Sequence, residues 1–133
     1  MRKLVFAVSV CAGLFSGGHA VAQQNLRDVA EVTEGLIAVG IAYEISEVCG
    51  SLEARLLRGV TYLNQLRGRA RELGFSRSEI DAYIKNDAEK KHLEGIARQR
   101  LGALGATPGD AQSHCIVGRR EIAQGSTIGY FLK

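Results

Sequence analysis

The residues able to do chemistry in this chain fall into four small groups, and none of them makes a complete reactive set. Cys49 and Cys115 are the two cysteines of the main body; His92 and His114 are its two histidines; Glu44 and Glu47 are a close carboxylate pair; Arg55, Arg58 and Arg69 run along one side of a helical segment with Tyr62. A metal centre needs three or four converging ligands, and neither histidine has a second histidine or cysteine at usable helical spacing apart from Cys115. Both histidines are therefore read as surface or loop residues, and no metal or cofactor is expected. Covalent haem attachment would need two close cysteines followed by histidine, a pattern the sequence lacks, and Met1 is the only methionine. Glu44 and Glu47 are neighbours on a helix, where a carboxylate pair is ordinarily solvated; general-acid work would require a cleft that raises one pKa. No glycine-rich phosphate loop and no serine nucleophile elbow is present in the sequence.

The arginine row is the remaining candidate. Guanidinium groups beside a tyrosine suit a polar patch for an acidic partner, so Arg55, Arg58, Tyr62 and Arg69 are the expected partner-binding residues. The competing reading is that their stems cover the edge of the core while their heads pair with acids on adjacent helices.

The start of the chain reads as an address. Arg2 and Lys3 precede the apolar run from Leu4 to Phe15, Ser16 to Gly18 relax it, and Ala20, Val21 and Ala22 offer the small-x-small pattern of a signal-peptidase site. Residues 1–22 are thus expected to be a signal peptide cleaved after Ala22, and a dozen apolar residues fall short of the roughly 20 that span a bilayer. Cys11 would leave with that peptide. What remains, residues 23–133, has the size of one domain. Without Arg2 and Lys3 the 17 Lys+Arg fall to 15 against 14 Asp+Glu, a net charge of +1 that does not fit a nucleic-acid binder. No second apolar run reaches membrane-spanning length, so the processed chain should be periplasmic or secreted, with no membrane insertion. In an oxidising compartment the two surviving cysteines have one possible intramolecular pairing, and a Cys49–Cys115 disulfide is predicted.

Helical periodicity supplies the elements that hold these residues. Helix one should run from about Asp28 to a glycine stop at Cys49–Gly50. Helix two should be capped by Ser51 and bury the stripe Leu52, Leu56, Val60, Leu63, Leu66, Ala70 and Leu73, with Gly74 as its stop. Ser76 stands three residues before Glu79 in a capping box, with Phe75 and Ile80 at the staple positions, and opens a short helix three. Asp87 begins helix four, which turns Leu93, Ile96, Ala97, Leu101 and Leu104 inward and ends at Gly105. A loop around Pro108 leads to helix five, capped by Asp110 or Ser113 and carrying Cys115. We expect that helix to continue across Gly125 and Ser126, leaving Gly118, Ile122, Gly125 and Gly129 as a smooth strip; the alternative is a stop at Gly125 and an extended tail. No segment alternates long enough to be a strand. The fold class is all-α, a small bundle of about five helices with one disulfide.

The order of several short segments adds a resemblance. Cys49 closing the first helix, Ala54-Arg55, Tyr62-Leu63-Asn64, Gly74-Phe75-Ser76 leading to Glu79 through Tyr83, and Cys115 followed by Gly118-Arg119, Glu121-Ile122-Ala123, Gly125-Ser126 and Ile128-Gly129 together resemble a family of small exported alphaproteobacterial proteins classed as a domain of unknown function. The resemblance implies export, the paired cysteines and the helices, and contributes no catalytic residue. The functional expectation is a non-catalytic binding or accessory protein of the cell envelope with a protein partner. A small periplasmic chaperone is the first alternative and a wall-directed glycan hydrolase the second.

Overall fold

The computed structural model describes residues 24–133; the expected signal peptide lies outside them. A 3-10 turn, Leu26–Asp28, leads into α1 (Ala30–Val48), followed by α2 (Leu56–Glu72), α3 (Arg77–Ile84), α4 (Asp87–Ala103), α5 (Ala111–Gln124) and the single turn α6 (Thr127–Tyr130). Over the described residues the chain is all-α as expected, five helices of two turns or more with a short sixth, and no helix among them is long and apolar enough to cross a membrane.

α1 is apolar around much of its circumference, which suits a helix surrounded by others, and α2, α4, α5 and α6 all pack on it. Ile37, Ile41, Ala42 and Ile45 join Ala97 and Leu101 of α4, Val117 of α5 and the tail residues Phe131 and Leu132 in the main core. A second cluster gathers Leu26, Val29, Val32, Ala70 and Ile80 at the other end of α1. Between α1 and α4 the Arg100 guanidinium grips both carboxylate oxygens of Glu34, one of them at 2.7 Å, and this contact holds the Glu34 carboxyl below its usual range.

Local signals account for most boundaries. Ser76 Oγ accepts from the Glu79 N–H at 3.2 Å and Glu79 Oε2 accepts from the Ser76 N–H at 2.7 Å, with Phe75 packed on the cluster that contains Ile80. Ser76→Ala should therefore cost about 1 kcal/mol, visible as a shift in the urea midpoint with the slope unchanged. Asn86 caps α4 and Asp110 caps α5 through their side-chain oxygens, and the hydrogen bond from Ser113 lowers the Asp110 pKa. Gly74 and Gly105 take positive φ just past α2 and α4, where the chain must leave a helix in the left-handed region.

Three expected boundaries are corrected. Gly50 is not a left-handed stop: Cys49 ends α1 in extended conformation (φ −88°, ψ 102°), and its carbonyl accepts from the Leu52 N–H in a turn. Ser51 does not cap α2, which starts five residues later at Leu56, because Glu53 to Arg55 are occupied in pairing with the end of the chain. The Ser51 hydroxyl instead sits 3.4 Å from Cys49 Sγ and 3.5 Å from Cys115 Sγ, and accepts from Arg119. The third correction concerns α5, which stops at Gln124. Gly125 is left-handed (φ 62°, ψ 31°), Ser126 caps α6, and Gly129 lies so close to the α5 backbone that an added Cβ would stand 2.6 Å from the Ile122 nitrogen. Glycine suits the left-handed reversal at 125, and the absence of a Cβ allows the close approach at 129.

The predicted disulfide is present: Cys49 and Cys115 are bonded with Cα atoms 5.1 Å apart, joining the end of α1 to the first turns of α5. Next to it, α5 meets α1 at Gly118, where a Cβ would lie 2.8 Å from Ile45 Cγ2.

Candidate functional site

The site is built where the chain's last residues return to the start of α2. Residues 53–55 and 131–133 run antiparallel for a single bridge, Ala54 opposite Leu132: the Glu53 N–H donates to the Lys133 carbonyl at 2.9 Å, the Lys133 N–H returns to Glu53 at 3.0 Å, and the Arg55 N–H donates to the Phe131 carbonyl at 2.7 Å. Lys133 Nζ lies 2.8 Å from the Glu53 carboxylate, and this partner lowers the Glu53 pKa.

Arginine side chains of α2 complete the seam. Arg55 Nε donates to the Leu132 carbonyl at 2.8 Å and Arg58 Nη1 to the Tyr130 carbonyl at 3.1 Å, with the Arg58 guanidinium 4.6 Å above the Tyr130 ring. Tyr62 packs on Phe131 with ring centroids 5.1 Å apart, and Phe131 meets Tyr130 edge-on at 5.2 Å. Three of the four expected partner-binding residues, Arg55, Arg58 and Tyr62, thus converge on the C-terminal arm. Arg69 does not join them. It lies farther along α2, where it donates to Glu31 of α1 at 2.8 Å and to Glu72 at 3.1 Å. All four side chains are engaged within the chain, two of the arginines through backbone carbonyls rather than the acids of the competing reading.

Beside this seam α2 leaves apolar side chains outside. Leu56, Leu57 and Val60 are 71%, 85% and 57% exposed, and Tyr130 under Arg58 is 49% exposed. Sequence periodicity placed Leu56, Val60 and Leu73 inward, and that expectation is corrected. Tyr62 packs on the arm and against α1, Leu63 is half-buried, and Leu66 and Ala70 are buried farther on. Leu56 with Val60, and Leu57 with Val60, are neighbours on a helix surface, so they form one patch. The adjacent pair Leu56-Leu57 at the start of a helix was the available signal, since adjacent apolar residues cannot both lie centrally on one narrow stripe.

The other candidates are dispersed. His114 is buried on α5, with Nδ1 2.7 Å from the Asp110 carbonyl, which corrects its reading as a surface or loop residue; His92 is exposed on α4. Among the described residues no group of three or more His, Cys, Asp or Glu is placed to hold a metal ion. Glu44 lines a groove with Glu94 that does not include Glu47, so the two carboxylates do not converge there.

No curated protein and no solved structure matches the chain. A family model does, over all the helices and both bridged cysteines: through residues 24–133 the chain belongs to the family of unknown function DUF5333.

Proposed function

We propose that the processed chain is a non-catalytic binding or accessory protein of the cell envelope, periplasmic or secreted, which docks a protein partner on the N-terminal half of α2 and the adjoining arm. The observation that carries this reading is the exposed cluster Leu56, Leu57 and Val60 beside Tyr130. Contiguous exposed apolar surface on a small protein is characteristic of interaction sites. An apolar centre with arginine and tyrosine at its edge has the composition of a protein-binding hot spot, and the unused donors of Arg58 favour a partner with acidic side chains around an apolar contact. The seam beneath the patch holds it on a fixed backbone, which lowers the ordering cost of binding.

The test is site-specific photocrosslinking in intact cells from position 57, with position 99 on α4 as a control. A discrete adduct from position 57 alone, reduced at least tenfold by Leu56→Asp with Val60→Asp, is the expected result. Equal labelling from both positions, or no adduct, would reject the docking face. The exposed patch is also what the chaperone alternative requires; suppression of client aggregation at low pH without a discrete adduct would favour that reading.

A further inference from the structure

A cavity of about 260 Å³ lies at the opposite end of α2 from the docking face, between α1, α2, α3 and α4. Its wall is almost wholly apolar, with Val32, Leu36, Leu63, Leu66, Ile80 and Leu93 contributing side chains from all four helices. Three polar features interrupt that wall. Arg67 and Lys90 line it from exposed positions, and neither is paired with a carboxylate among the described residues. The Tyr83 hydroxyl, on a residue shared between the cavity and the adjoining cleft, is buried with no hydrogen-bond partner among the described residues. The third is Glu89, the only acid among the described residues of the lining; it is buried and its carboxylate is held by Arg27, with Nε 3.1 Å from Oε2, so its charge is already matched.

We propose that this cavity binds a medium-chain fatty carboxylate, the chain among the apolar side chains and the head group toward Arg67 and Lys90. Apolar walls with a few polar groups are the ordinary construction of a small-molecule site, and the volume falls just below the usual range of roughly 300–1,000 Å³. That size selects a single short or medium chain. The sign of the unpaired charges selects an anion. The site does not depend on the α2 docking face, since Leu56, Leu57 and Val60 take no part in its lining.

The test is a titration of isotope-labelled protein, residues 23–133 with the disulfide intact, with octanoate and with 1-octanol, followed by amide shifts and calorimetry. Saturable one-to-one binding of octanoate is expected, with shifts centred on Leu63, Leu66, Ile80 and Leu93 and at least fivefold tighter than 1-octanol. Arg67→Gln with Lys90→Gln should abolish that preference, and Leu63→Trp should weaken both ligands tenfold or more by filling the space. Helicity by far-UV circular dichroism checks each variant; if Leu63→Trp fails to fold, the double charge variant, at exposed positions, decides alone. No saturable octanoate binding, equal affinity for the alcohol, or a preference unchanged in the double variant would each overturn the assignment.

Discussion

Replacing Cys49 and Cys115 together by alanine should cost the protein about 4 kcal/mol, the chain-entropy value for a loop of this length. The cross-link spans 66 positions of sequence, so the denatured chain loses much of its freedom when the bond is present. For a domain of this size, typically stable by only 5–15 kcal/mol, that is a large fraction. Urea unfolding of the double variant beside the oxidised wild type measures it, and a midpoint that hardly moves would mean that residual structure already confines the unfolded chain without the bond. Cysteine 49 is fully buried and Ser51 with Arg119 covers the bridge, so alanine at both positions leaves a small void and little else.

Phe131→Ala should have a comparable effect, about 3–5 kcal/mol, the range for removing a buried aromatic ring. Phe131 is 3% exposed, and both Tyr62 and Tyr130 pack on its ring. The distinctive readout is hydrogen exchange. The Glu53 and Arg55 amides donate to Lys133 and Phe131, so they should lose protection in the variant before the amides of α1 and α4 do. Uniform loss across all helices would show instead that the arm and the core open as one unit.

Much of the fold was legible because its signals are local. A capping box at Ser76 and Glu79, an aspartate before α5, and glycines at 74 and 105 act within one turn of the residues they govern. Gly125 was also visible, and its role was misjudged for a definite reason. Glycine inside a helix costs only about 1 kcal/mol, so local propensity allows both continuation and reversal. The decision is made by Gly129 pressed on the Glu121–Ile122 backbone, a contact formed only once the chain has turned back. The late start of α2 has the same origin, because Glu53 to Arg55 pair with residues at the far end of the sequence. Of the candidate site, the types Arg55, Arg58 and Tyr62 were legible, and their target was not: backbone carbonyls of a distant arm carry no sequence signature. The exposure of Leu56 and Val60 follows from where that arm lies, and periodicity alone cannot say which part of an apolar stripe remains uncovered.

The bridge between Ala54 and Leu132 also sets an order of events. A chain delivered N-terminus first presents α1 and α2 before residues 131–133 arrive, and the Arg55 to Leu132 contact spans 77 positions. Such distant pairings pay loop-closure entropy late, and slow folding relative to bundles whose contacts are short-range. Until that closure Ile45, Leu52 and Tyr62 lack their final cover, and until Cys115 arrives the Cys49 thiol has no partner, so the nascent chain passes through an interval in which it is sticky and carries a thiol open to an oxidant.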